Sequence, residues 1–207
     1  MKQNRENPFF ETYRTPFGTP PFDQIETEQY EPAFDEGIWQ LDEEVRAIAD
    51  NTELPTFENT IIALERSGKL LDKVISAFFN VLNAEADDEM MDISQRVSPK
   101  LSESSNNIYL NEQLFARVKS VYDRKDELHL PMEDARLLEK TFEAFCARGA
   151  ALGPEEKEKY RKLSSELSLL SLTFDQNALK DKNRYELLLT KEDELEGKHT
   201  RSCRTQG

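Results

Sequence analysis

An all-α fold, a multi-helix antiparallel bundle behind an irregular arm rich in proline and aromatic residues, is what this sequence predicts, and three observations carry the prediction. Apolar residues recur at steps of three and four over most of the chain beyond residue 31, the period of one helix face. Glycine numbers only 7 in 207 residues, few for a fold of tight hairpins, whose turns draw on glycine for positive φ. Prolines and capping residues cut the rhythm into pieces of roughly 20–28 residues, which suits an antiparallel bundle better than one continuous coiled coil. Leu, Ile, Val and Phe make about 24% of the chain, enough for a core. No repeat of fixed period points to a solenoid.

Residues 1–30 form the arm. Pro8, Pro16, Pro20 and Pro21 with Gly18 deny the backbone helical continuity. Phe9, Phe10, Tyr13, Phe17 and Phe22 are too many rings for a solvated linker, so the arm is expected to be clamped by ring burial rather than by hydrogen bonds. The helical domain is read as 31–197. From Pro32, the residues Phe34, Ile38, Leu41, Val45 and Ile48 lie on one stripe, and the helix should stop near Asp50 and Asn51, ahead of Leu54-Pro55. Thr56 then caps a second helix with Glu58 at its positive end. Its stripe runs through Phe57, Ile61, Leu64, Gly68, Leu71, Ile75, Phe78 and Leu82 without a break, with Gly68 on the stripe either as a point of close approach to a neighbouring helix or simply as a cost of about 1 kcal/mol against alanine.

Asp87 or Asp88 can cap a third helix carrying Met90, Ile93 and Val97, which Pro99 is expected to kink or break, a break near Ser98 being the natural reading. Leu110, Leu114, Val118 and Val121 predict a short helix ending before the charged, solvated run 123–127. Pro131 opens the next, with Ala135, Leu138, Phe142, Phe145 and Gly149 on its stripe. Gly153 closes it, and Pro154-Glu155-Glu156 starts the last long helix, whose apolar positions are Tyr160, Leu163, Leu167, Leu170, Phe174 and Ala178. Leu169 and Leu172 widen that face, so this helix is expected to be central. At most one short strand, near 184–189, is predicted, with Thr190 capping a final turn and Asp193 at its third position.

The balance of 27 basic against 41 acidic residues, a net charge of −14 and a pI near 4.7 has the wrong sign for a phosphate-binding surface, so neither nucleic acid nor an anionic membrane is expected as a partner. No run approaches the length of a membrane span, and no apolar leader core follows Met1. The reading is cytoplasmic. Cys146 and Cys203 have no metal-like spacing and are expected to be reduced.

Catalytic and metal-binding residues are read as none. The two histidines, His129 and His199, cannot form the H-E-x-x-H pair that holds zinc on one helix face. There is no G-x-S-x-G, no P-loop and no dinucleotide fingerprint. The carboxylate clusters Asp42-Glu43-Glu44, Asp87-Asp88-Glu89 and Glu155-Glu156 sit at helix starts or polar faces and are read as caps and solvation. Substrate-binding residues are unassigned.

Several segments nevertheless follow a family pattern: Asn7-Pro8, Thr19-Pro20-Pro21-Phe22-Asp23-Gln24-Ile25, Tyr30-Glu31-Pro32-Ala33-Phe34, Pro55-Thr56-Phe57-Glu58-Asn59-Thr60-Ile61, Ala63-Leu64-Glu65-Arg66-Ser67-Gly68 and Leu114-Phe115-Ala116-Arg117-Val118. In this order the chain resembles the N-terminal region of the thimet-oligopeptidase-like zinc metallopeptidases, in particular the bacterial peptidyl-dipeptidase and oligopeptidase A branch. The resemblance implies a helical enzyme of two lobes around a deep channel that admits short peptides, hydrolysed by a zinc-activated water. It places the H-E-x-x-H and the further glutamate ligand in a later part of a chain about three times this length.

No family ligand falls on a residue here. Zinc is therefore expected for the full-length family enzyme and no cofactor for this chain, whose partner would be the C-terminal catalytic lobe. After Glu192 to Gly197 the pattern is lost, and residues 198–207 read as an off-family tail, expected to be disordered. The implied role is an N-terminal scaffold and channel wall, inactive alone. The other reading kept open is an independent helical protein-interaction module. The two differ in surface: the first leaves a broad apolar face uncovered, the second covers it or bounds a groove.

Overall fold

The structure is a computed structural model that describes residues 7–85, 87–184 and 186. It is all-α, and no strand occurs among the described residues. The helices are α1 (Tyr30–Ala49), α2 (Ala63–Glu65), α3 (Lys69–Glu85), α4 (Asp88–Tyr109), α5 (Glu112–Tyr122), α6 (Met132–Ala147) and α7 (Pro154–Arg184). The chain divides into two compact units, one ending at Leu172 and one beginning at Thr173. Within the second, the described residues are the last turns of α7, where Phe174 is exposed, and residue 186. The strand reading at 184–189 falls outside the described residues apart from Arg184, which ends α7, and residue 186; Thr190 and the tail 198–207 lie outside them entirely.

In the first unit α1 packs against α3 and α4, and α5 packs against α6. The α1 stripe buries Phe34, Val45 and Ile48 as its spacing predicts, although the helix starts at Tyr30, two residues before Pro32. Two clusters make the interior. One is aromatic: the Phe78 ring meets Tyr30 edge-on at 5.1 Å and Phe34 at 5.2 Å, and Phe9 leans on Tyr30 at 5.2 Å. The other gathers Val45, Ile48, Ile61, Leu114, Val118, Val121, Leu138 and Phe145.

Thr56 caps as expected, and the cap is reciprocal. Its Oγ1 accepts the Asn59 N–H at 3.1 Å while Asn59 Oδ1 accepts the Thr56 N–H at 2.8 Å, satisfying two first-turn donors at once. The unbroken second helix is a misreading. A π-helical turn at Phe57–Ile62 leads into the short α2, and a turn ending at Gly68, φ +73°, separates it from α3, a conformation glycine adopts without the Cβ strain other residues carry there. The Gly68 N–H is captured by Glu44 Oε2 at 2.8 Å. Beyond the interruption the stripe keeps its phase: α3 buries Leu71, Phe78 and Leu82 as predicted, adds Val74, and leaves Ile75 half-buried. The close approach expected of Gly68 is made to α1, where a Cβ would stand 3.2 Å from Leu41 Cδ1, and a tighter one occurs at Gly37, where a Cβ would stand 3.0 Å from Leu71 Cα and 3.1 Å from Leu71 N.

Asp87 caps α4, accepting the Met90 N–H at 2.8 Å. Pro99 does not break this helix, which runs through it from Asp88 to Tyr109. An interior proline costs about 3 kcal/mol, and contacts to α1 on both sides of it offset that cost. Arg96 and Lys100 pair with Glu31 and Asp35, Ser104 donates to Asp42 at 3.1 Å, and Val97 is fully buried.

Asn111 caps α5, and Pro131 stands at the N-cap of α6. Ala135 is exposed, and Gly149 lies beyond the helix at φ +87°, so neither belongs to the α6 stripe. Most of the run 123–127 is solvated, but Arg124 is half-buried and donates to Pro55 O at 2.5 Å. Arg117 is buried and ties α5 to the connection after α1 through the carbonyls of Asn51 and Glu53 and the side chains of Asn59 and Thr60.

The arm departs from a clamp made of rings alone. Phe9 is buried, but Phe17 is fully exposed at φ +60° and Phe22 is half-exposed. A lysine does much of the holding: Lys73 Nζ donates to Phe9 O at 2.8 Å and Glu11 O at 2.7 Å and lies 3.7 Å from the Tyr13 ring centroid. Burial lowers the Lys73 pKa, opposed by nearby Glu11. The Tyr13 hydroxyl is buried without a hydrogen-bond partner, and burial first, then proximity to Tyr30, pushes it up to about 12.

Candidate functional site

Helix α7 is where the structure and the sequence diverge most. Within the first unit, its residues 154–172 turn a polar side to α4 and α5 and their leucines away. Lys157 is buried, and its Nζ donates to Leu110 O at 3.2 Å and Glu112 Oε1 at 3.0 Å. One turn on, Arg161 donates to Asn107 Oδ1 at 2.8 Å, and Ser164 Oγ accepts from Asn106 Nδ2 at 2.8 Å. Lys157, Arg161, Ser164 and Ser168 follow one another at steps of four, three and four, a stripe as regular as the apolar one. A cavity of about 370 Å³ lies between α4 and α7, walled by Ser98, Ser102, Ser105 and Ser168 with Tyr109 and Tyr160. At its edge Arg148 stacks 4.2 Å over the Tyr109 ring and donates to Ser105 Oγ at 3.0 Å.

The apolar stripe therefore faces outward. Leu163 is 53% exposed, Leu167 63% and Leu170 68%. The expectation that α7 is central is overturned: its leucine face is uncovered, and the contacts that seat it on α4 and α5 are hydrogen bonds and one ion pair. The signal was present in the sequence, since the Lys157–Ser168 stripe is the side that the polar residues of α4 can satisfy.

Five of the eight carboxylates in these clusters make contacts within the fold. Asp42 accepts from Ser104, Glu43 pairs with Arg46 at 2.5 Å, Glu44 holds Gly68, Asp87 caps α4, and Glu156 Oε2 accepts the Gly153 N–H at 3.0 Å. Glu31 is held below the usual carboxylate range, chiefly by its hydrogen bond from Arg96. Cys146 is exposed and unpaired, and Cys203 lies outside the described residues.

The described residues do not fit the zinc ion that the resemblance implies. His129 is exposed in the turn before α6, and among the described residues no three His, Cys, Asp or Glu side chains gather as ligands would. Among them, too, no helix is long and apolar enough to cross a membrane.

No protein-family model matches the chain. Individual proteins do. It is 43% identical over 173 residues to a dipeptidyl carboxypeptidase of Escherichia coli (strain K12), a match covering 84% of this chain and 25% of that protein. A dipeptidyl carboxypeptidase of Salmonella typhimurium (strain LT2) is 39% identical over the same shares of each. Oligopeptidase A of Escherichia coli (strain K12) is 24% identical over 88% of this chain and 27% of its own length. The chain thus spans about a quarter of the length of the curated relatives it matches. On the strength of these matches, and of the helical fold that accompanies them, the chain belongs to the thimet-oligopeptidase-like family and corresponds to its N-terminal region.

Proposed function

We propose that this chain is the N-terminal helical scaffold of a peptidyl-dipeptidase or oligopeptidase, lining part of the channel through which short peptides reach a zinc centre carried by the remaining three quarters of the polypeptide. The 43% identity to a dipeptidyl carboxypeptidase over 84% of the chain carries the reading. Zinc, the activating carboxylate and dipeptide release belong to that remainder. The division into an arm at 1–30, a helical domain at 31–197 and an off-family tail at 198–207 is part of the same proposal.

The first test is hydrolysis of an N-blocked tetrapeptide by this chain with added zinc, with the metal content of the purified protein measured alongside. The expected result is neither bound zinc nor cleavage. Stoichiometric zinc with chelator-sensitive dipeptide release would overturn the inactive-alone part. A chimera in which this chain replaces the matching quarter of the Escherichia coli dipeptidyl carboxypeptidase tests the scaffold role, and it should release dipeptides. A chimera that folds without activity would favour an independent interaction module.

A further inference from the structure

Resting on the scaffold reading, we infer that the outward face of α7 formed by Leu163, Leu167 and Leu170 is a docking surface, and that its occupant is an apolar surface on the three quarters of the family polypeptide that lie outside the region this chain matches. Sidedness is the first argument. The same turns of α7 are fixed from behind by Lys157, Arg161 and Ser164, so the helix cannot roll its leucines inward without unmaking a buried lysine's bonds, which is costly. The face is therefore presented rather than misplaced.

Composition is the second argument. Glu166 is the one charged residue from Leu163 to Leu172, in a chain that is 33% charged. The other polar residues of this stretch are serines, and the exposed leucines Leu163, Leu167 and Leu170 lie at steps of four and three on one face, the kind of exposed apolar patch that marks an interaction site in a folded protein. Position is the third. An alignment spanning 84% of the chain cannot avoid these turns, so the face lies inside the matched region of proteins that carry about three times as much polypeptide again.

A second copy of this chain is a poorer occupant. A stable interface engages roughly 20–30 residues a side, and a self-paired α7 face offers only a few leucines. The remainder of a family polypeptide is covalently joined to the scaffold, so its docking is intramolecular and a narrow strip suffices.

The test is thiol labelling of Leu167→Cys in a Cys146→Ser, Cys203→Ser background, read at that peptide by mass spectrometry, in this chain alone and in the Escherichia coli chimera. Leu167 is solvent-exposed, so the variant should leave the helical circular dichroism of the isolated chain unchanged and label fast. In a chimera that releases dipeptides, labelling should slow at least about tenfold. Equal labelling in an active chimera would overturn the docking face and leave the scaffold reading standing. An unfolded chimera would defeat the scaffold reading and this inference with it. Concentration-dependent protection in the isolated chain, with a dimer mass in sedimentation, would assign the face to a second copy and overturn the occupant named here.

Discussion

Replacing Arg117 by lysine keeps the charge and removes the fork, and the cost follows bond by bond. One guanidinium nitrogen reaches Asn51 O at 2.5 Å and Glu53 O at 3.1 Å; the other reaches Asn59 Oδ1 at 3.1 Å and Thr60 Oγ1 at 3.4 Å. An ammonium is a single point on a flexible stem and can serve the carbonyl pair or the side-chain pair, not both. A hydrogen bond from a charged donor contributes about 1.5–3 kcal/mol, and the longest contact adds little. Arg117→Lys should therefore lower the unfolding free energy by about 2 kcal/mol, a fall of roughly 4–8 °C in Tm for a chain of this size. Arg117→Ala strips every acceptor and leaves a void, at a cost of roughly 3–5 kcal/mol. All four acceptors are uncharged, so the loss should be equal at about pH 5 and about pH 8. Urea unfolding followed by far-UV circular dichroism, with m unchanged, measures it. A lysine variant within about 0.5 kcal/mol of the parent, or a loss present at only one of the two pH values, would refute the bond-by-bond argument.

Gly37→Ala should destabilise by about 1–3 kcal/mol, because the new methyl meets Leu71 backbone that cannot step aside; a change below about 0.5 kcal/mol in the same assay would mean that α1 and α3 separate freely. Glu31 has a lowered folded pKa through Arg96, so its contribution is present above the ordinary carboxylate pKa and is lost as pH falls through the lower, folded value. Glu31→Gln should flatten the dependence of Tm on pH in that acid window, and an unchanged profile would exclude the linkage. Tyr13, at about 12 in the folded chain against an ordinary 10, favours the neutral phenol; its contribution is full below about pH 10 and is lost as pH rises through about 12. Ultraviolet titration should show at least one of the six tyrosines resisting ionisation until the chain unfolds, and a single transition near the ordinary value would count against burial of that hydroxyl.

The features most legible in the sequence were those decided within one turn of chain. Thr56, Asp87 and Asn111 act where the next few amides need an acceptor, and that need is local; it singles out Thr56 and narrows the third cap to Asp87 or Asp88. The α1 stripe was legible because its apolar side meets two neighbours and its polar side meets water. Gly68 was misread because a glycine on a heptad-like stripe is silent about φ, and the Glu44 side chain that captures its amide comes from another helix. Pro99 was misread for a related reason: the local cost is fixed, but the ion pairs of Arg96 and Lys100 with α1 that offset it are tertiary. Helix α7 carried two regular stripes, and hydrophobicity alone chose the wrong one to bury. What decided the matter was the set of polar partners on α4 and α5, which is not readable from the periodicity of one helix.

Lys73 grips carbonyls 64 and 62 residues behind it, and this separation has a temporal meaning during synthesis. A ribosome adding about 5–20 residues per second leaves several seconds between the emergence of the arm and that of the ammonium that holds it. Throughout that interval Phe9 lacks a complete α3 to rest on, although Tyr30 emerges about a third of the way through it. The segment made first is thus the one seated late, and the wait exposes an aromatic, proline-studded strand to proteases and to other nascent chains. Chains arrested before residue 73 should be cut after the arm's aromatic residues by a protease that spares chains arrested well beyond α3; equal cutting at both lengths would show that something other than Lys73 closes the arm.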